Sequence, residues 1–148
     1  MDFHGQHIVV TGGSSGIGLV TAGLLASRGA RVSLIARRKE LLDEAVAGIG
    51  ERAAGFAADV GDKDQLDAAL DAAAEHFGPI HSLFANAGLT GGFTPAVAFA
   101  TQVFEETIRV NLISVFWAIQ KVLPTMIAAK NGVILVTGSM ELGRASCR

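Results

Sequence analysis

Short apolar runs alternate along the chain with longer segments in which apolar residues recur every three or four positions. The run Ile8-Val9-Val10, within residues 7–11, is unbroken, as in a strand that is buried on both faces. Runs of the same kind predict further strands at residues 31–36, 54–60, 80–85 and 133–137. The strand at 54–60 is the weakest of these predictions, because it rests mainly on its position between two helical segments.

The segments between these runs have helical spacing. Apolar residues follow the first strand at Ile17, Val20, Leu24 and Leu25. Arg28-Gly29 favours the end of this helix, because helices prefer a basic last turn and a glycine stop. A second helix is predicted over residues 39–49, and a third is predicted to begin after the cap Asp62 and to end at residues 77–79.

The longest helical pattern spans residues 101–129. Its apolar residues are predicted to share one stripe, which consists of Phe104, Ile108, Val115, Ile119, Val122 and Met126. Asn111 falls between two members of this stripe, so it is predicted to be a buried amide that needs hydrogen-bond partners. Pro124 is expected to kink the helix.

Strand and helix alternate five times with short connections. Parallel strands need crossovers, and right-handed crossovers place helices on both faces of the sheet. The pattern therefore predicts an open, doubly wound, parallel α/β sheet of about five strands. With 148 residues, half of them hydrophobic, we expect one domain over residues 1–148, with an irregular tail at 142–148.

Composition narrows the choice of partners and compartment. The formal net charge is −2, so we expect neither nucleic acid nor an anionic membrane surface as a partner. Cys147 is the single cysteine, which excludes an intrachain disulfide and fits a reducing compartment. The first residues lack a secretory pattern, and no unbroken apolar run approaches the roughly 18 residues of a membrane helix. We therefore expect a cytoplasmic protein without a metal site.

Glycines and polar residues follow each strand at its carboxyl end, where such sheets bind ligands. They are Gly12, Gly16 and Gly18 after the first strand, Arg37 and Arg38 after the second, Asp59 after the third, Asn86-Ala87-Gly88 after the fourth and Gly138-Ser139 after the fifth. A glycine turn that opens a helix favours a phosphate, because the helix start offers free N–H groups and a positive dipole end. An ordinary tight turn is the alternative for these glycines.

Five short motifs follow one another along the chain: TGGSSGIG at residues 11–18, DV at 59–60, NAG at 86–88, VN at 110–111 and GS at 138–139. Together they resemble the motifs of the short-chain dehydrogenases/reductases, over about residues 7–140. The resemblance implies a Rossmann sheet. It also implies an NAD(P)(H)-dependent oxidoreductase that passes hydride between nicotinamide and the carbon of a small-molecule carbonyl or secondary alcohol.

The resemblance implies a cofactor site made of Gly12, Ser14, Ser15, Gly16, Ile17, Gly18, Arg37, Arg38, Asp59, Val60, Asn86, Ala87 and Gly88. In it, Gly12, Gly16 and Gly18 would let the pyrophosphate and ribose approach the backbone. Asp59 resembles the adenine contact of the family, with a helix-leading aspartate as the alternative. Asn86 resembles the residue that braces the fourth strand against the glycine turn.

The residues after the second strand favour NADP over NAD as cofactor. An NAD site places an acid there to bind the ribose 2′-hydroxyl, whereas an arginine accommodates a 2′-phosphate. Here Ala36 is followed by Arg37 and Arg38, and a planar guanidinium suits a phosphate. The alternative is that both arginines are solvated loop charges, and Ser15 stands where the family usually has a basic residue.

Asn111 and Ser139 are the catalytic positions that the resemblance implies. Asn111 would belong to an Asn-Ser-Tyr-Lys tetrad that holds a proton-relay water, with a satisfied core asparagine as the alternative. Ser139 would hydrogen-bond the substrate oxygen. The tyrosine of the tetrad is the general acid/base, and its ordinary pKa of about 10 makes a neighbouring lysine necessary near neutral pH.

The sequence contains no tyrosine. In the family, Tyr-x-x-x-Lys follows the serine, so we expect the chain to be part of a longer protein and to show little turnover by itself. Residues 133–137 would then form an apolar sheet edge with open backbone groups, which favours self-association. A non-catalytic nucleotide-binding or self-associating fragment is the alternative function.

Overall fold

Five strands form a single parallel sheet in the computed structural model, which describes residues 2–92 and 94–138. They are β1 (His7–Thr11), β2 (Arg31–Ala36), β3 (Ala53–Ala57), β4 (Ser82–Ala85) and β5 (Val133–Val136). Their order across the sheet is β3-β2-β1-β4-β5, so the predicted doubly wound sheet is confirmed. β3 ends earlier than predicted, because its pairing partner β2 ends at Ala36, opposite Ala57.

In the part of the chain that the structure describes, five α-helices connect these strands. They are α1 (Gly16–Ser27), α2 (Lys39–Ile49), α3 (Lys63–Phe77), α4 (Thr101–Ile108) and α5 (Ser114–Ala129). Asp62 caps α3 as predicted, since its Oδ1 accepts from the backbone N–H groups of Asp64 (3.0 Å) and Gln65 (3.1 Å). The hydrogen bond from the Gln65 backbone also lowers the pKa of the Asp62 carboxyl below its ordinary value.

The single helix predicted over residues 101–129 is interrupted. A π turn, Arg109–Ile113, separates α4 from α5, ahead of Pro124, which lies inside α5. A π turn adds one residue to the helix, so the face that follows is rotated. The buried face therefore differs from the predicted stripe: it consists of Val110, Ser114, Ala118, Val122 and Met126. Phe104 and Ile108, which the stripe included, are exposed.

Two apolar clusters cover the two faces of the sheet. Successive residues of a buried strand point to opposite faces, so β1 contributes to both clusters. Ile8 and Val10 pack toward α1 and α2, whereas Val9 packs toward α3, where Leu66 and Leu70 are buried. β1 therefore packs against both layers of helices at the centre of the sheet, and the chain continues from its carboxyl end into the glycine turn.

Helix α1 meets the sheet through small residues. Its buried residues include Gly18 and Ala22. The larger apolar residues Ile17, Val20 and Leu24 are exposed, Val20 to 72%. Their helical spacing predicted the helix correctly but only part of the face that it buries: Leu25, which was predicted, and Leu19 are partly buried against the same cluster as Ala22.

A buried histidine joins elements at the amino-terminal edge of the sheet. The Nδ1–H of His7 donates to the carbonyl of Gly78 (2.8 Å), and Nε2 accepts from the hydroxyl of Ser33 (2.8 Å). The carbonyl can only accept, which assigns the proton to Nδ1. Burial lowers the pKa of His7, so the neutral ring is favoured at this position.

By length and composition alone, the stretch Thr101–Ala129 could cross a membrane, with a mean hydropathy of 1.6 in its most apolar window. In the structure this stretch packs on the sheet through the buried face given above, and Lys121 pairs with Asp71 of α3 at 2.8 Å. Of its most apolar window, 22% is buried in the structure, and length and composition alone are weak evidence for a membrane span.

Candidate functional site

The direction of the strand order changes between β1 and β4. At such a point the connections leave toward opposite sides, and a crevice opens beyond the carboxyl ends of the strands. A cavity of about 360 Å³ lies there. Its lining consists of Gly12, Ser14, Ser15, Ile35, Ala36, Arg37, Arg38, Ala58, Asp59, Val60, Ala87, Gly88, Leu89 and Val110. Most of the predicted cofactor residues are in this lining, whereas Gly16, Ile17, Gly18 and Asn86 belong to the segments around it.

Two glycines of the turn are required by close packing within the protein. Gly12 has a φ of +68°, and a Cβ on it would lie 2.9 Å from the Cα of Ala87. A Cβ on Gly18 would collide with the carbonyl oxygen of Gly12 and would lie 2.7 Å from Nδ2 of Asn86. The expected role of these glycines, space for a cofactor, is therefore incomplete, because they also let β1, β4 and α1 pack together.

The start of α1 is open. A Cβ on Gly16 would meet nothing within 4 Å, and the side chain of Ser15, which precedes the helix, makes no capping hydrogen bond in the described structure. The first backbone N–H groups of the helix therefore do not donate to the side chain of Ser15. They lie at the positive end of the helix dipole. Together with the neighbouring cavity, this arrangement has the chemistry to bind a phosphate.

Asn86 links three strand ends. Its Nδ2 donates to the carbonyl oxygens of Thr11 (3.3 Å) and Gly12 (3.5 Å), and its Oδ1 accepts from the hydroxyl of Thr137 (3.0 Å). The hydroxyl oxygen of Thr11 in turn accepts from the backbone N–H groups of Asn86 (3.0 Å) and Ala87 (3.1 Å). The brace that the resemblance implies for Asn86 is present in the structure.

Thr11 and Thr137 complete this brace, and sequence reasoning did not single them out. Each lies at the carboxyl end of an apolar run, on either side of β4 in the sheet. A threonine at the carboxyl end of an apolar run can reach the neighbouring strand end, so this placement is the sequence signal that marks Thr11 and Thr137.

The rim of the cavity after β2 is basic. β2 ends at Ala36, and Arg37 and Arg38 follow. The Nη1 atom of Arg37 lies 3.8 Å from Oδ2 of Asp59 and 3.7 Å from Oε1 of Glu106. Sequence reasoning missed Glu106, because only the tertiary structure brings α4 to this rim.

Asp59 holds the turn between β3 and α3. Its Oδ1 accepts from the backbone N–H of Gly61 (2.8 Å), and its own N–H donates to Oε1 of Gln65 (3.1 Å). Asp62 caps the helix, which excludes the alternative that Asp59 is the helix-leading aspartate. Asp59 is thereby held beside the cavity, and its neighbour Val60 is buried.

Asn111 is exposed, which contradicts the prediction of a buried amide on the apolar stripe. The π turn directs Val110 and Ser114 to the core, so Asn111 faces the loop after β4. There its Oδ1 accepts from the N–H of Leu89 (2.7 Å), and its Nδ2 donates to the carbonyl of the same residue (2.8 Å). Asn111 therefore anchors the loop that follows the NAG motif, and its catalytic role stays a prediction.

Ser139, the other predicted catalytic residue, lies outside the described residues. Within residues 2–92 and 94–138, no group of three or more His, Cys, Asp or Glu side chains could hold a metal ion. The groups that the described site offers a ligand are thus backbone N–H donors at the glycine turn, two arginines and the polar side chains at the strand ends.

The sequence matches a family model and several known proteins. The model of the family described as short chain dehydrogenase matches residues 6–146. Levodione reductase of Leifsonia aquatica is 35% identical over 143 residues, which cover 93% of this chain and 54% of that protein. Cyclohexanol dehydrogenase of Acinetobacter sp. (strain SE19) is 32% identical over 142 residues, which cover 93% of this chain and 56% of that protein.

A solved structure shows the same arrangement of strands and helices. The crystal structure of NAD+-bound xylitol dehydrogenase matches with a TM-score of 0.89 at 31% sequence identity, over 95% of this chain and 55% of that one. The chain thus spans about half the length of the curated relatives and of the solved structure that it matches.

Proposed function

Because the chain belongs to the short chain dehydrogenase family, we propose that it forms the cofactor-binding part of an oxidoreductase that uses NADP(H) and acts on a small-molecule carbonyl or secondary alcohol. The observation that carries the proposal is the cavity beyond the carboxyl ends of β1 to β4, where segments from four strands converge. When bound, the nicotinamide cofactor supplies or accepts the hydride. The residues of this chain bind and orient the cofactor.

The described residues fit a dinucleotide. The open first turn of α1, next to Gly16, supplies N–H donors for the pyrophosphate. Asp59 and Val60, which follow β3, line the same cavity and would contact the adenosine, and Ala87-Gly88, which follow β4, line it as well. The brace at Asn86 holds the glycine turn and β4 in register, so both walls of the site keep their spacing.

Arg37 and Arg38 support NADP(H) over NAD(H). Both line the cavity, and Arg37 is half-exposed, so its guanidinium can reach a 2′-phosphate without being pulled from a buried position. The residue before them is Ala36, so the end of β2 offers no carboxylate to a ribose 2′-hydroxyl. The carboxylates that do approach Arg37 come from β3–α3 and from α4, outside the usual position for NAD recognition.

Titration of the chain with NADPH and NADH, followed by nicotinamide fluorescence, tests this proposal. We expect the unmodified chain to bind NADPH more tightly than NADH. Arg37→Ala should weaken NADPH binding by about 10- to 100-fold, because a hydrogen bond to a charged group contributes about 1.5–3 kcal/mol, while NADH binding changes little. Arg28→Ala, which removes an exposed arginine at the far end of α1, is the matched control. Tighter binding of NADH than of NADPH would exclude the assigned cofactor.

The proposed chemistry also needs a proton donor. We assign Asn111 a positioning role through Leu89, and we assign Ser139 the contact to the substrate oxygen. The sequence contains no tyrosine to act as the general acid/base of this family. We therefore propose that the chain binds the cofactor and that turnover needs more than the chain provides. A cytoplasmic location is part of the same proposal.

Self-association is a second property that one observation favours. In the described structure β5 lies at the edge of the sheet, and Leu135 on it and Phe116 on α5 are more than half exposed. An unpaired apolar sheet edge and an exposed apolar helix face are each a template for a second chain. We propose that two or more copies associate through this side.

Sedimentation velocity tests the association. We expect the chain to form dimers or larger species at micromolar concentration, and Phe116→Glu to shift them toward monomer, since a charge cannot be buried there without a partner. Val97→Glu places the same charge on a fully exposed apolar residue of the loop before α4 and should leave the distribution unchanged. A monomer at every concentration tested would contradict the proposal.

A further inference from the structure

Arg37 is shared between two carboxylates from different parts of the fold. Its Nη1 lies 3.8 Å from Oδ2 of Asp59, in the turn after β3, and 3.7 Å from Oε1 of Glu106, on α4. Both separations exceed the 2.7–2.9 Å or so of a charge-assisted hydrogen bond. The side chains of Arg37, Asp59 and Glu106 are 52%, 39% and 56% exposed, so water screens both pairs and neither holds the guanidinium firmly.

The two carboxylates differ in how they are held. Asp59 is fixed through its Oδ1 by the backbone N–H of Gly61 and through its own N–H by Gln65. Glu106 projects from the exposed face of α4, and its described ion pair is the one with Arg37. A change at Glu106 therefore alters the charge near Arg37 without disturbing the turn that forms the cavity wall.

Acidic side chains lie next to this basic rim. A second cavity of about 330 Å³ adjoins the first, and its described lining includes the carboxylates Asp59, Asp62, Glu105 and Glu106 and one cation, Arg109. A phosphate monoester bound at Arg37 would bring a charge of about −1.5 to −2 to this rim. The carboxylate of Glu106 both competes for the guanidinium and repels the phosphate.

From this geometry we infer that Glu106 is a residue that sets cofactor selectivity: it limits the preference for NADP(H) by holding part of the charge of Arg37. The inference rests on the proposed function, and it identifies Glu106 as the residue that limits the preference for NADP(H) over NAD(H). Removing the charge of Glu106 frees Arg37 for the 2′-phosphate. NAD(H) has a hydroxyl at that position, so its binding does not depend on the freed charge.

The test compares Glu106→Gln and Glu105→Gln with the unmodified chain, each titrated with NADPH and with NADH. Glu105 is the neighbouring carboxylate of α4 and has no ion pair with Arg37 among the described residues, so it is the matched control. We expect Glu106→Gln to tighten NADPH binding about three- to fivefold at low salt, which is the size of an exposed ion pair. We expect NADH binding, and both affinities of Glu105→Gln, to stay within about twofold of the unmodified chain.

Two further measurements make the result specific. The gain should shrink as salt is raised above about 0.15 M, where the screening length is about 8 Å, and it should vanish when Glu106→Gln is combined with Arg37→Ala. Weaker NADPH binding by Glu106→Gln, or an equal change for both cofactors, overturns the inference and leaves the proposed function standing. Binding of neither cofactor by the unmodified chain overturns both.

Discussion

Gly18→Ala is expected to weaken NADPH binding by about 10- to 100-fold and to lower the free energy of unfolding by about 1–3 kcal/mol, the usual cost of forcing a methyl group into a packed interior. The added Cβ would collide with the carbonyl oxygen of Gly12 and would lie 2.7 Å from Nδ2 of Asn86. Neither neighbour is the free end of a flexible side chain: one is backbone, and the other is held by hydrogen bonds at the strand ends. The first turn of α1 must therefore move away from β1, and with it the N–H groups that face the phosphate.

Gly23→Ala on the same helix is the matched control. A Cβ there meets nothing within 4 Å, and alanine favours a helix over glycine by up to about 1 kcal/mol, so this variant should be as stable as the unmodified chain or more stable. Both variants are to be measured by thermal unfolding and by NADPH titration. If Gly18→Ala bound NADPH as tightly as Gly23→Ala, the packing of α1 against the strand ends would have no part in the site.

The elements that the sequence predicted well are those whose signals are local. The strand at residues 7–11 is an unbroken apolar run, and α3 has both a capping aspartate and a glycine stop, so each was predicted close to its observed bounds. It is also predictable that the segments after the strands meet at one site, because the carboxyl ends of parallel strands share one edge of the sheet. Motifs far apart in the chain therefore meet in one cavity.

The features that were missed depend on tertiary contacts. The π turn at Arg109–Ile113 lies where Asn111 hydrogen-bonds Leu89, and no local propensity marks it. The face of α1 that is buried depends on how closely the glycine turn brings the helix to β1. The approach of Glu106 to Arg37 joins two segments that have no periodic relation in the sequence.

Thr11→Val is expected to lower the free energy of unfolding by about 2–4 kcal/mol and to weaken NADPH binding in parallel. The hydroxyl oxygen of Thr11 accepts from the backbone N–H groups of Asn86 (3.0 Å) and Ala87 (3.1 Å), and Thr11 is 4% exposed. Valine has nearly the same shape but no acceptor, so both N–H groups lose a partner at a partly buried position. Each unsatisfied group costs about 1–3 kcal/mol, more than a lost methyl contact.

Thr11→Ser separates the contribution of the hydroxyl from that of the methyl group of Thr11. It keeps the acceptor and removes one methyl group, whose burial contributes about 0.8 kcal/mol, so it should retain most of the stability and NADPH affinity. Chemical denaturation and NADPH titration of the two variants then distinguish the roles. A valine variant at least as stable as the serine variant would mean that packing, not the hydrogen bonds to Asn86 and Ala87, holds the ends of β1 and β4 together. Since those strand ends form two walls of the cavity, that outcome would also remove the physical reason for expecting stability and cofactor binding to fall together.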